Sequence, residues 1–299
     1  MFSRLLHGFR KSNIVVQFIY ANVALYITVV SIGVFSVLFN AAPLAGNVVG
    51  VLELPSSFVQ LAYKPWTLLS YMFLHEHLSH IIWNMLALYL FGKIFMNFYS
   101  VRHFVGVYLL GGVAGGIAFL LSYNIFPYFA PYVGHSCLVG ASASVLAIVV
   151  ASAVRAPGYR INLFLFGSVK LSTLALVSVG ISVLMLPGDN AGGNFAHLGG
   201  AFAGWVVAYM LNKGVDVTAI VNKPLDALLS CFRKRPGKQR RKGRFTYSAS
   251  MGSRASDYDY NARKKAGEAE IDRILEKIKK GGYASLSEEE KKRLFDASK

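Results

Sequence analysis

No Asp, Glu, Lys or Arg occurs between Ser12 and Leu52. A second charge-free run extends from His103 to Val154, interrupted near its middle by Pro127 and Pro131. A soluble domain carries charge on about a quarter of its residues; here 15% are charged and 54% are hydrophobic across 299 residues. That excludes an ordinary soluble fold and a disordered chain. The charges are also unevenly placed. Residues 1–232 hold 11 Lys and Arg against 5 Asp and Glu, whereas residues 233–299 hold 20 against 10. The chain therefore reads as a long apolar body followed by a short basic tail. Two cysteines, Cys137 and Cys231, make no disulfide framework. The formal charge of +16 does not call for nucleic acid, because Lys and Arg collect on the cytoplasmic side of membrane proteins for topological reasons.

A membrane span needs about 20 apolar residues. Six such segments are expected, at roughly 15–39, 78–98, 104–123, 137–154, 171–187 and 194–212, which makes the chain an all-α polytopic membrane protein. The first is too long for a signal-peptide core and is followed by no small-residue cleavage site. Arg4, Arg10, Lys11, Lys93, Arg102, Arg155, Arg160, Lys170, Lys213 and Lys223 then all lie on one side, with Lys64 alone on the other. The positive-inside rule makes that side cytoplasmic and places both termini there. Outside, residues 40–76 are too apolar for a solvated linker and are expected to pack at the membrane surface. The Gly-rich stretch Pro187-Gly-Asp-Asn-Ala-Gly-Gly-Asn-Phe195 is expected to be a mobile lid.

Polar residues inside spans are costly and usually functional. Span 2 opens with His75-Glu-His77-Leu-Ser-His80-Ile-Ile-Trp-Asn84, span 4 with Val139-Gly-Ala-Ser142-Ala-Ser144, and span 6 with Asn194-Phe-Ala-His197. All three spans run from outside to inside, so the sets lie at one depth, about 5–10 Å below the outer surface. A serine hydroxyl becomes a nucleophile when a base takes its proton. Ser142 and His197 fit those roles. His80 and Asn84 share one helix face and offer N–H donors to a developing oxyanion, with the Ser142 amide as a third. No acid lies within a span to orient His197, so a dyad is expected rather than a triad. Each residue alone also has a structural reading: His75 and His77 as solvated interface residues, His80 with Asn84 as an interhelical clamp. The histidine spacing is not that of His-Glu-x-x-His, and neither a metal nor another cofactor is expected. Ala196, Gly200, Gly204 and Ala208 form a small-residue stripe on span 6, and Gly140 with Ser144 a shorter one on span 4; such stripes let helices pack closely.

Over residues 60–212 the sequence resembles the rhomboid family of intramembrane serine proteases. The matching pieces are Lys64-Pro-Trp-Thr-Leu-Leu-Ser-Tyr-Met-Phe-Leu-His75, His80-x-x-x-Asn84, Gly140-x-Ser142 and Ala196-His-x-x-Gly200-x-x-x-Gly204, in that order. The resemblance implies a six-helix rhomboid-like bundle that cleaves transmembrane substrates near their outer end. Ser142 would be its nucleophile and His197 its general base, with His80, Asn84 and the Ser142 amide as its oxyanion hole. Three positions depart from the family: Ala143 stands where many members have Gly, Leu146 where several have a Tyr that stacks on the catalytic His, and Thr67 where many have Arg.

Beyond the spans, residues 213–232 are amphipathic and residues 233–244 carry eight basic residues. That run reads as topology-fixing charge or as contact with anionic lipid headgroups. Residues 245–262 read as a linker. Ile271, Ile274, Leu275 and Ile278 have helical spacing, and Ser287 with Glu290 has that of a capping box, so 263–299 is expected to be a helical hairpin, similar to a module on some bacterial rhomboids. The expected division is thus a cytoplasmic 1–14, a protease domain 15–212, a linker 213–262 and the hairpin. Expected partners are single-pass transmembrane substrates and the lipid bilayer; no signature of oligomeric state is legible. The expected location is a bacterial inner membrane. A non-catalytic membrane-protein binding or quality-control factor on the same scaffold is the alternative.

Overall fold

The computed structural model describes residues 12–41, 43–163, 167–232, 273–274, 276–279, 281–282 and 285–297. It comprises two compact units, residues 1–234 and 235–299. Residues 233–262, including the basic run 233–244, as well as Ile271 and Arg4, Arg10 and Lys11, lie outside the described residues.

The first unit is mostly helical. Helix α1 (Ile14–Leu38), started by the Asn13 side chain accepting from Val16 N–H at 3.0 Å, is followed by a long connection. These connecting elements are α2 (Pro43–Leu52), β1 (Leu54–Pro55), α3 (Phe58–Tyr63), α4 (Thr67–Ser70) and a 3₁₀ turn at Tyr71–Phe73. Then come α5 (Leu78–Met96), α6 (Val101–Ile125), a 3₁₀ turn at Pro127–Tyr132, β2 (Cys137–Leu138), α7 (Ser142–Arg155), β3 (Arg160–Leu163), β4 (Gly167–Lys170), α8 (Leu171–Leu184), α9 (Ala191–Asn212) and α10 (Ala219–Phe232).

Among the described residues three helices are long and apolar enough to cross a membrane: α1, α5 and α6. Their large exposed side chains, among them Val34, Phe35, Ile82, Trp83, Ile117 and Leu121, are those a lipid environment accepts. Together with the site described below, they make the chain an integral membrane protein. The helices α7 and α8 are apolar but only 14 residues each, about 21 Å against a hydrocarbon core of about 30 Å. The expected fourth span at 137–154 is corrected accordingly: residues 137–138 form a strand, and the helix begins at Ser142.

Helix α6 is central and largely buried, whereas α1 is largely exposed. One face of it is glycine. A Cβ at Gly115 would come within 2.6 Å of Ala143 Cβ and 2.8 Å of the Ala196 carbonyl, so α7 and α9 approach its backbone closely. Gly199 likewise faces the Ala114 carbonyl, at 2.5 Å from where a Cβ would stand. Dispersion and backbone packing of this kind hold helices together where lipid offers no hydrophobic contrast. Two buried tyrosines tie helices to the connection before α5: Tyr71 donates to the Gly112 carbonyl at 2.6 Å and Tyr108 to that of Met72 at 3.0 Å.

The connection between α1 and α5 carries several short elements held by side-chain hydrogen bonds. The last carbonyls of α2 would be unpaired. Lys64 Nζ donates to Gly50 O at 2.7 Å, Trp66 Nε1 to Val51 O at 2.8 Å and Ser70 Oγ to Leu52 O at 2.7 Å. Lys64, the one cation expected outside, thus sits on a helix C-terminus, where the dipole favours positive charge. Strands β1 and β2 pair antiparallel, Leu54 with Leu138 and Pro55 with Cys137, and β3 and β4 form a second short hairpin. Among the described residues the fold is therefore helical with two small antiparallel pairs rather than strictly all-α.

In the second unit, described positions between 273 and 281 are helical, and α11 (Glu288–Ala297) follows. Ser287 Oγ accepts from Glu290 N–H at 3.3 Å while Glu290 Oε2 accepts from Ser287 N–H at 2.7 Å, a reciprocal capping box. Ile274 and Leu286 are buried; Leu294 is half-buried. The side chains of Leu275 and Phe295 lie outside the described residues.

Candidate active site

Ser142 is the first residue of α7, two residues after a glycine that cannot continue a helix backward. Gly140 has φ 121°, a conformation that L side chains rarely adopt, and a Cβ there would stand 2.7 Å from His80 Nε2. The Gly140 N–H is tied to the Tyr71 carbonyl at 3.0 Å. The chain turns sharply and starts a helix whose first-turn amides have no intrahelical acceptor; Val145 N–H then reaches back to Ala141 O at 2.9 Å. The Ser142 amide is thus at the positive end of a helix dipole.

His197 is the seventh residue of α9, which begins at Ala191. Its Nε2 is 2.8 Å from Ser142 Oγ. Both residues are half-buried. They share a cavity of about 400 Å³, bounded by α5, α7, α8 and α9, with Phe91, Val145 and Leu146 among its apolar lining and Asn84 among its polar lining. Asn84 Nδ2 donates to the His80 carbonyl at 2.9 Å, which holds one of its two hydrogens and leaves the second for the cavity. His80 is not among the residues lining the cavity; its Nε2 lies against Gly140.

His75 is not the solvated residue expected. It is 3% exposed, 5.1 Å from His80 in an edge-on arrangement, with both ring nitrogens lacking a hydrogen-bond partner among the described residues. Burial first, and the neighbouring His80 second, push its imidazole down to about 4. It is held neutral inside the protein. His77 is exposed beside Glu76, at 3.6 Å.

The small-residue stripe on α9 does its work, but against different partners. Gly200 meets the Ala143 backbone and Gly204 the Ala147 carbonyl; Gly140 precedes the helix, and Ser144 faces Met72 Sδ at 3.9 Å, fully buried. Ala143 is accommodated because α6 presents Gly115 to it. The stretch 187–195, expected to be a lid, is helix in its second half. From Ala191 onward it is helix, with Gly192 packed against Phe119 and Tyr123, and Asn194 Nδ2 donating to Met185 O at 2.8 Å.

One residue of the site was not anticipated. Ser182, near the end of α8, places its Oγ 3.3 Å from His197 Nδ1 and donates to the Ser178 carbonyl at 3.1 Å. The available signal was a pair of serines four apart in Val177-Ser-Val-Gly-Ile-Ser182.

A Rhomboid domain family model matches residues 62–214, and a second, for a family of unknown function, matches residues 256–299. The chain is similar to RHOMBOID-like protein 12, mitochondrial, of Arabidopsis thaliana, at 27% identity over 158 residues, which is 50% of this chain and 47% of that protein. It is similar to Rhomboid-related protein 2 of Mus musculus at 27% over 187 residues, 57% of this chain and 56% of that protein. The chain spans about half the length of the curated relatives it matches.

Proposed function

The chain belongs to the rhomboid family, and from that premise we propose that it is an intramembrane serine endopeptidase that cleaves transmembrane helices near the outer membrane face. The observation that carries this reading is the 2.8 Å contact between Ser142 Oγ and His197 Nε2 within the cavity. Ser142 Oγ attacks the scissile carbonyl carbon as its proton passes to Nε2. The oxyanion formed is met by the first-turn amides of α7, by the second Nδ2 hydrogen of Asn84 and by His80. The imidazolium then protonates the leaving amine, the C–N bond breaks and an acyl-Ser142 ester remains. Water, deprotonated by the same imidazole, hydrolyses it.

Both α5 and α8 line the cavity, and α8 bears exposed Leu176, Val177 and Ile181 on its surface. That suits a single transmembrane helix entering sideways from lipid and unwinding locally. In this reading residues 15–212 form a six-span body, with α7, α8 and α9 crossing the membrane as a packed group although α7 and α8 are short. Residues 213–262 are a linker and 263–299 a hairpin, both termini are cytoplasmic, and the location is a bacterial inner membrane. The basic run contacts anionic lipid.

The test is covalent labelling of the full-length protein by a serine-directed fluorophosphonate, together with cleavage of a transmembrane model substrate. Both signals are expected from the wild type and neither from Ser142→Ala. A folded wild type that neither labels nor cleaves would point instead to a non-catalytic binding factor on the rhomboid scaffold.

A further inference from the structure

We infer that Ser182 is a positioning residue that sets the tautomer of His197, an inference that rests on the dyad reading above. A hydroxyl carries one proton and accepts through its lone pairs. The Ser182 proton is engaged on the Ser178 carbonyl at 3.1 Å, so toward His197 Nδ1, at 3.3 Å, its oxygen is an acceptor. Nδ1 therefore holds the ring proton. Nε2 is left with its lone pair directed at Ser142 Oγ, 2.8 Å away, which is the tautomer a general base requires.

The same chain serves the next state. When Nε2 takes the Ser142 proton, the Nδ1–H···Oγ hydrogen bond becomes charge-assisted and strengthens. Ser182 also lies in the last turn of α8, where the helix dipole favours a cation. By contrast, His197 and Ser142 lie in the N-terminal parts of their own helices, α9 and α7, where the dipoles disfavour one. Leu146, one turn beyond Ser142 and part of the same cavity, has no group to hydrogen-bond the ring. Ser182 is 3% exposed, so bulk water does not compete for its oxygen.

A membrane serine that bonds its own helix has a bland reading as well, and the experiment separates the two. Threonine keeps the hydroxyl and can make the same backward bond to the preceding turn; valine has nearly the same shape without it. Full-length protein carrying Ser182→Ala, Ser182→Thr or Ser182→Val is assayed on a transmembrane model substrate, with Ser142→Ala alongside. Loss of one such hydrogen bond is expected to lower kcat about tenfold in the Ala and Val variants. KM should change little, and the fluorophosphonate labelling rate at Ser142 should fall in parallel. The Thr variant should retain most of the wild-type kcat. Wild-type kcat in Ser182→Val, or equal losses in Thr and Val, would overturn the role and leave Ser182 as packing. Should the Ala variant fail to fold, the Thr and Val pair decides alone. Turnover by Ser142→Ala would overturn the dyad itself, and the role of Ser182 with it.

Discussion

Gly200 lies directly on the backbone of Ala143. The first is three residues beyond His197 and the second is next to Ser142, so this one close approach sets the distance between base and nucleophile. Gly204 on Ala147 repeats the contact one turn further along. Replacing Gly200 with Leu should wedge α9 from α7, cost about 1–3 kcal/mol or more through overpacking and abolish cleavage. Gly204→Leu should destabilise comparably while sparing more of the activity, because its wedge is farther from the dyad. Thermal unfolding midpoints with kcat for both variants check this; wild-type kcat in Gly200→Leu would contradict it.

Ser142→Ala and His197→Ala should each abolish cleavage without unfolding the bundle. The two act in one proton transfer, so the double variant should be no worse than either single one. Ser144→Ala should retain activity, since Ser144 faces Met72 away from the cavity. Turnover and probe labelling of the four variants measure this.

Asn84→Ala and His80→Ala should lower kcat more than they raise KM, because their donors act mainly in the transition state. Loss of one oxyanion donor typically costs roughly 10²–10³ in kcat. Steady-state kinetics on a model substrate decide it, and an unchanged kcat in both variants would leave the oxyanion to backbone donors alone.

Selectivity should follow helix strength in the substrate. Unwinding in lipid leaves backbone groups unpaired, so Gly, Pro or polar residues near the outer end of the substrate helix should favour cleavage. Replacing them with Leu in a model substrate should slow turnover, and equal rates would argue that unwinding is not the selective step.

In the second unit, Glu290 accepts from Lys277 Nζ at 2.8 Å and from Ser287 N–H at 2.7 Å. The Lys277 hydrogen bond first, and the Ser287 amide second, hold its carboxyl down at about 2. A depressed folded pKa favours the folded form above the ordinary glutamate value, about 4.3, and the contribution is lost as pH falls through the folded value. Amide exchange over residues 287–297 of the full-length protein should therefore quicken as pH drops through that window, after correction for intrinsic rates. Glu290→Gln should show faster exchange at neutral pH and a flatter acid response.

The charge-free runs, the order of the polar motifs and the small residues of α9 are readable in one dimension, because each depends on residue type at a fixed spacing. They were enough to name Ser142, His197, His80 and Asn84. The capping box at Ser287 and Glu290 was legible for the same reason: its two hydrogen bonds close within three residues. What spacing does not contain is which residue on another helix fills a given gap. The partner of Gly200 is Ala143 rather than Gly140, because Gly140, at φ 121° and bonded through its N–H to the Tyr71 carbonyl, lies before the helix. The start of α9 at Ala191 depends on Phe119 and Tyr123 receiving Gly192. The contact between Ser182 and His197 joins two helices through atoms 3.3 Å apart. It depends on the rotation of α8 about its own axis, a quantity set by packing against neighbours and invisible to any local pattern.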